Sequence, residues 1–531
     1  MFAAAFSPAP NATMTQSAPA KLDALGHDLL LDEGYDLLLT DSTQEVDRHC
    51  LTMHQRRITG TWLIPAIAQF SMGDTEFTSL LDGFGKWNKF ELTGDHLCVT
   101  MKMMRSGFYN ESVKLDRVAP GVLFAETEPK RPCHVPWCNV KGPNDNVMVN
   151  TVEDSGVFSA TTDAPTLVDF DLETLTLQGK HVWARSDVDK PGFDHKPMLG
   201  SAHPVRRPGD GLRVGLEIEP PMMNPAGVMA SHLAIFVWDG ADAAARRLSA
   251  RVSLPHTPYI HSFGVLDDAA LLPVQPLRVE TARIAAGEPL QRAFVEQRGD
   301  NLTLLFVPYG DGGRAGGAPR AFVTNRHVMT THTLNTWYED DGKTIVWDGA
   351  VQEADVWGAD SALMLKTQRN RTARDGSFAR SRGHVERFTI DTRSGAVSSR
   401  VLSSLESSTD FTQIDPRWMG KPYCIFFANE WGTDGRTYGA MSIVRYDVCT
   451  GRKASWARRS SYPSEPTLVT TGEAEAEGVL LFTLLHGPSA SSSLVLLDAI
   501  TMRLIEETPL PVRVPFTTHG RWYGASASVT W

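Results

Sequence analysis

The stretch RFTIDTRSGAVSSR (387–400) alternates apolar and polar residues up to Asp391, turns through Gly395, and resumes in small and β-branched residues. Two antiparallel strands around a tight turn read this way. The Asp391 carboxylate can cap the turn's N–H groups, and Gly395 supplies the positive φ a hairpin wants. The same unit of strand, Asp turn and strand returns in FDLETL at Asp171, VWDG at Asp239, WDG at Asp348, YDVCTG at Asp447 with Gly451, and LDAITM at Asp498. FVPYG (306–310), TIVWDG (344–349), ALMLK (362–366), SIVRYD (442–447) and LVLLD (494–498) are apolar, β-branched or aromatic runs of strand length. Long helical periodicity is absent from about Thr59 onward. Irregular repeats of this kind predict an all-β chain, and a β-propeller above its rival, a sandwich with accessory domains, because stacked blades leave few free edges.

A chain of 531 residues has room for about three domains of ordinary size, but a repeat architecture closes that length into one body. The expected division is a tail with a short helical segment over 1–58, and a single propeller domain over 59–531. The helix-compatible stretch KLDALGHDLLLDEGYDLLLT (21–40) is expected to pack on the outside. With 42% hydrophobic and 21% charged residues the chain is neither disordered nor fibrous. The balance of 51 Lys+Arg against 62 Asp+Glu, a net charge of −11, argues against a nucleic-acid partner. The apolar run GVLLFTLLHG (478–487) stops at His486, short of the ~18 residues a membrane span needs. The first 22 residues hold no acid and only Lys21 as a base, which gives them part of the character of a transit peptide. A plastid location follows from that reading, and a cytoplasmic one without it.

Six cysteines, Cys50, Cys98, Cys133, Cys138, Cys424 and Cys449, show no C-x-x-C pair, which reads as thiols in a reducing compartment. Cys133, His134 and Cys138 crowd together, but a loop with two free thiols is the simpler reading than zinc. YGDGGRAGGAP (309–319) lacks the G-K-[ST] ending of a phosphate cradle and reads as a surface loop. GEAEAEG (472–478) reads as a solvated hairpin tip. The His384-Val385-Glu386 triplet has the types for a two-histidine, one-carboxylate metal site, but in a strand pattern it reads as a solvent-facing pair.

Four of the sixteen histidines stand in unusual settings: His203 in GSAHPVRRPGDG, His261 in PYIHSFGV, His332 in MTTHTLNTWYEDDG and His519 in PFTTHGRWYG. Each taken singly is an ordinary buried or surface histidine. Their separations of 58, 71 and 187 residues allow each to lie on an inner strand of a different blade, where the rings would converge on the axis. An all-imidazole site suits zinc, copper, iron or nickel.

The joint context resembles the carotenoid cleavage oxygenase family, which includes the retinal pigment epithelium membrane protein, from about Thr59 to Trp531. GDTEFTSLLDGFGKWNKFEL (73–92) is similar to the family's N-terminal segment, with Leu81, Asp82 and Gly83 at its F-D-G core. SAHP, IHSFGV, HTLNTWYEDDG and PFTTHGRWY resemble the four ligand segments in order, and IDPRWMGKPY, YPSEPTLV and EGVLLFTLL match three further family motifs. The resemblance implies a seven-bladed propeller with a helical or loop cap over an apolar tunnel. It also implies Fe(2+) held by His203, His261, His332 and His519, and oxidative cleavage of a conjugated C=C bond of a carotenoid or apocarotenoid by dioxygen. The family orients its histidines through glutamates. Glu465 matches one; Asp410 stands where the family has a second; Asp163, with Thr162 as the alternative, is the candidate for the third.

Departures from the family pattern are equally specific. IPAIA (64–68) replaces an R-N-G-P-G turn, and the apolar membrane insertion is short or missing between Pro129 and Asn146, which leaves peripheral membrane contact open. No Lys stands in TTDAP (161–165), where stilbene-cleaving members place one, which favours a carotenoid or apocarotenoid. QPLR (275–278) resembles the plant apocarotenoid branch. Two other readings stay open: an isomerase on the same iron, and a propeller with a decayed site that only binds a carotenoid or a protein.

Overall fold

The computed structural model describes residues 22, 28–54, 58–130, 144–189, 195–223, 229–240, 242, 245–311, 313–353 and 356–524. Seven sheets of four or more strands follow one another along the chain among the described residues, antiparallel but for the short parallel pairing of Arg185–Ser186 with Ala245–Leu254. Their innermost strands include Asn150–Asp154, Leu199–Gly200, Gly264–Val265, Met329–Glu339, Ser408–Ile414 and Thr467–Thr470 in blades two to seven. Blade one is built on Gly60–Gln69 and is closed by the C-terminal strand Arg521–Tyr523, which pairs with it. The first and last strands among the described residues thus share a sheet. The expected seven-bladed propeller is the observed fold.

Alternation drives it. Each inner or middle strand turns one apolar row toward each neighbouring blade, and Trp62, Trp87, Trp337 and Trp347 are fully buried in these seams. A large side chain so buried contributes ~1.5–3 kcal/mol. The Asp turns behave as read at four positions. Asp171, Asp391, Asp447 and Asp498 accept N–H groups of Thr174, Ser394, Thr450 and Thr501, and Gly395 and Gly451 adopt φ of 74° and 71°. At Asp239 the turn is closed by its backbone carbonyl, which accepts the Asp242 N–H.

Asp348 is a correction. It lies inside the strand Thr344–Gln352, fully buried, and pairs with Arg387 and with the Tyr423 hydroxyl. Gly349 follows it because the Trp347 ring covers the place a Cβ would take, not because the chain turns. ALMLK is likewise no strand, since it leads into the helix Leu365–Arg369.

Local readings changed for four further segments. His384 and Glu386 are both buried and hydrogen-bonded to one another at 3.2 Å, because blade six covers that face of their strand. In the acidic run, Glu475 accepts the N–H groups of Cys424 and Ile425 and Ala476 is buried, so it is not a plain solvated tip. The boundary expected at residue 59 falls inside a sheet, for Val46–Thr52 is the outer strand of blade one. The segment before it is not simply outside: Tyr35, Leu38 and Leu39 are buried, in a 3-10 turn over Tyr35–Leu39. The Gly-rich stretch connects Thr303–Pro308 to Arg320–Val323 as a loop. Residues 131–143, with Cys133, His134 and Cys138, and the tail over 1–21 lie outside the described residues.

Helices Thr281–Ala285, Leu290–Ala293, Leu365–Arg369 and Arg371–Arg380 cap one face of the propeller and send Ile284, Leu290, Gln368 and Phe378 into a cavity there. No helix among the described residues is long and apolar enough to cross a membrane.

The expectation of scattered thiols is also corrected. Cys50 faces Cys98 across a strand pair and bonds to it, and Cys424 bonds to Cys449. Strand register made these pairs, so spacing along the chain could not show them. Alkylation of the denatured, unreduced protein is expected to leave these four cysteines unmodified, and reduction to cost up to about 4 kcal/mol for the longer loop. Full alkylation of all four without reductant contradicts the pairing.

Candidate metal centre

Inner strands end at the axis, and the four histidines sit there. His203 lies between the short inner strands of blade three, His261 just before blade four, His332 within the inner strand of blade five and His519 just before Arg521–Tyr523 in blade one. Their nitrogens all lie within 4.8 Å of one another. The Nε2 atoms of His203 and His261 are 3.1 Å apart, those of His261 and His332 3.3 Å, and those of His332 and His519 3.1 Å.

The opposite ring nitrogens are anchored outward. His261 Nδ1 is 2.8 Å from Asp163, His332 Nδ1 is 2.7 Å from Asp410, and His519 Nδ1 is 3.0 Å from Glu465. A carboxylate can only accept here, so each ring donates its Nδ1–H and turns the Nε2 lone pair inward. His203 differs: its Nδ1 lies 3.5 Å from the Asn150 amide, and no carboxylate among the described residues reaches it. Burial, then the neighbouring imidazoles, hold His203 well below the usual histidine range, hence neutral.

The carboxylates are themselves held. Asp163 accepts from the Tyr259 hydroxyl at 2.6 Å, Asp410 from the Thr331 hydroxyl at 2.8 Å, and Glu465 from the Gln413 amide at 3.0 Å. Burial pushes Asp410 and Glu465 up, but the imidazoles and these donors outweigh it and hold both below the ordinary carboxylate range. They stay ionised.

The strand Gly60–Gln69 holds the last ligand segment in place. IPAIA is part of that strand, not a turn: Pro65 O accepts the Thr518 N–H at 3.0 Å and Ile67 N–H reaches Phe516 O at 2.8 Å. His519 is thereby fixed beside the other three rings. Thr162, the alternative to Asp163, lines the cavity but anchors no ring. Asn150, Thr331, Gln413 and Tyr259 gave no signal in the sequence, since a lone polar residue in a strand is unremarkable.

Lone pairs converging at these separations fit one cation. Two cis ligands ~2.1 Å from a metal lie ~3.0 Å apart, close to the Nε2 spacings found. The four histidines could hold a metal ion. Above them opens a cavity of about 320 Å³, lined by His261, His332, His519, Phe411, Tyr259 and Trp357 among others. The Phe411 ring packs against the His332 and His519 rings with centroids 5.5 and 5.3 Å away.

A seven-bladed propeller with imidazoles on its axis beneath an apolar cavity defines the carotenoid oxygenase class. The chain matches the family of retinal pigment epithelial membrane protein over residues 56–524 and belongs to it. It is 22% identical over 489 residues to the carotenoid isomerooxygenase of Galleria mellonella, covering 87% of this chain and 90% of that one. Identity to carotenoid cleavage dioxygenase 8, chloroplastic, of Arabidopsis thaliana is 23% over 491 residues, 88% of this chain and 81% of the relative. The cobalt-substituted Synechocystis apocarotenoid oxygenase superposes with a TM-score of 0.77 at 17% identity, over 93% of this chain and 98% of that one.

Replacing Glu465 by Ala frees His519 Nδ1 and is expected to weaken metal binding by about 10–100-fold. Calorimetric titration of the metal-free protein measures this. Unchanged affinity would mean that Glu465 does not orient the ring.

Proposed function

We propose that the protein is a non-haem iron(II) dioxygenase that cleaves a conjugated C=C bond of a carotenoid or apocarotenoid. The observation that carries the reading is the convergence of four Nε2 lone pairs on the floor of an apolar cavity. His203, His261, His332 and His519 would hold the iron. The chemistry the metal supplies when bound is activation of dioxygen beside the double bond, so that one C=C and one O2 become two C=O groups.

This chain's residues position and shield. Asp163, Asp410 and Glu465 fix three ring orientations, which leaves the fourth ring, His203, held by packing and backbone. No carboxylate enters the inner set, so four neutral rings leave the cation's charge undiminished. The cavity's apolar walls, among them Val122, Leu123, Phe124 and Trp357, exclude water and match the face of a long polyene. Phe411 covers the His332 and His519 ring faces and limits how close the polyene lies. A plastid location belongs to the same proposal, supported by the chloroplastic Arabidopsis relative. Peripheral membrane contact, expected of a protein that takes up so apolar a substrate, is a part of it too.

Two measurements test this. The purified protein is expected to hold about one iron per chain, and His261→Ala to lose both iron and cleavage. A fully active variant removes the assignment. Incubation with an apocarotenoid under labelled dioxygen is expected to give two carbonyl products carrying the label, and none under argon. A rearranged, uncleaved polyene formed without oxygen would instead establish an isomerase.

A further inference from the structure

One wall of the cavity is polar where the rest is not. Gln352 ends the strand Thr344–Gln352, opposite Met329 on one side and Gly383 on the other. Its side chain lies against the Gly383 backbone, where a Cβ would stand 2.3 Å from Gln352 Nε2. Ser408 closes on the same glycine: its Oγ accepts the Gly383 N–H at 2.8 Å. Ser377, on the helix Arg371–Arg380, lines the same cavity from the cap. All three line the cavity. They are 8%, 8% and 7% exposed for Gln352, Ser408 and Ser377, so what they face is the cavity and not bulk solvent.

Their hydrogen-bonding capacity is unspent. The Gln352 amide and the Ser377 hydroxyl have no side-chain hydrogen bond among the described residues, and Ser408, accepting one bond, keeps its own O–H to give. Buried polar groups are ordinarily paired, and each exception needs an explanation. Some other polar groups on the cavity wall are paired within the protein. Gln368 accepts from the Tyr35 hydroxyl and donates to Ala362 O, and Asn146 donates to Gly83 O. The Gln352 amide, by contrast, is open to the cavity.

Its height is fixed by strand register. Ser408 precedes Asp410 by two residues, and Met329, level with Gln352, precedes His332 by three. At ~3.3 Å per strand residue, the group sits roughly 7–10 Å above the histidine floor.

We propose that Gln352, Ser377 and Ser408 form a subsite for an oxygen function, a hydroxyl or a carbonyl, carried by the polyene about that far from the bond at the metal. The substrate is then an oxygenated polyene and not a pure hydrocarbon. Gln352 can donate through Nε2 or accept through Oε1, and the two hydroxyls can do either, so an alcohol and an aldehyde are both served. The inference rests on the cavity being the substrate site of the proposed dioxygenase.

The test uses two ligands, an apocarotenal and the hydrocarbon of the same skeleton with methyl in place of the aldehyde. Quenching of tryptophan fluorescence reports their binding to the metal-free protein, since Trp357 and Trp431 line the cavity. Gln352→Leu keeps the side chain's size, and Ser377→Ala removes a hydroxyl that holds nothing in the fold. Each is expected to weaken apocarotenal binding by about tenfold and to leave hydrocarbon binding unchanged. Equal loss for both ligands, or loss for neither, overturns the subsite. Failure of iron-loaded wild type to cleave either ligand, with the selective loss of binding intact, overturns the proposed reaction and leaves the subsite standing.

Discussion

The structure depends on a constraint at the propeller axis. Strands from different blades end at one point and bring three neighbouring pairs of Nε2 atoms to within 3.3 Å, and all four to within 4.8 Å. Acceptors this close repel unless something positive lies between them. Around them stand the buried carboxylates of Asp410 and Glu465 and the half-buried one of Asp163, with the Arg521 guanidinium, seated on Asn150, as a cation that acts on Glu465. Buried charge is tolerated only when paired and hydrogen-bonded. Imidazole nitrogens facing inward, with carboxylates behind three of the rings, form an arrangement that a dication completes.

Two of those carboxylates are aspartates where the resemblance to the family implies glutamate, and the backbone makes up the missing methylene. The pairing register shifts between Asp410 and Gln413, and Phe411, between them, adopts φ of 53°. A bulge of this kind re-aims a side chain, and Asp410 reaches the His332 ring at 2.7 Å while also accepting the Phe411 N–H at 2.8 Å. The left-handed conformation, uncommon for a bulky residue, thus serves two ends: it advances the short carboxylate and swings the Phe411 ring over the histidines. Asp163 solves the same problem from just beyond the end of the strand Val157–Thr161, where the Tyr259 hydroxyl donates to its Oδ2, the oxygen nearest His261 Nδ1, and the Ala202 N–H to its Oδ1.

Much of this was legible in the chain. The Asp turns gave the blades, and four histidines in distinctive segments gave the axis, because turn chemistry and ligand segments are local. What depended on register was not. Asp348 mimics a turn in sequence but lies beneath its neighbours in a sheet, and the Cys50–Cys98 pair exists only because two strands align. His384 and Glu386 share one face of a strand, as alternation requires, yet nothing in their own segment reports that blade six covers that face. Asn150, opposite His203, is invisible for the same reason. Its partner is 53 residues away.

Function follows from how the cap and the axis are combined. The helices close an apolar chamber over the histidine floor, and the polyene of the proposed reaction would lie between the two. X-ray absorption at the iron edge of the purified, iron-loaded protein tests the central claim most directly. The account predicts a first shell whose protein ligands are imidazole nitrogens alone, with the multiple scattering of four histidine rings. A carboxylate oxygen or a thiolate sulfur in that shell, or iron bound without histidine, would contradict it.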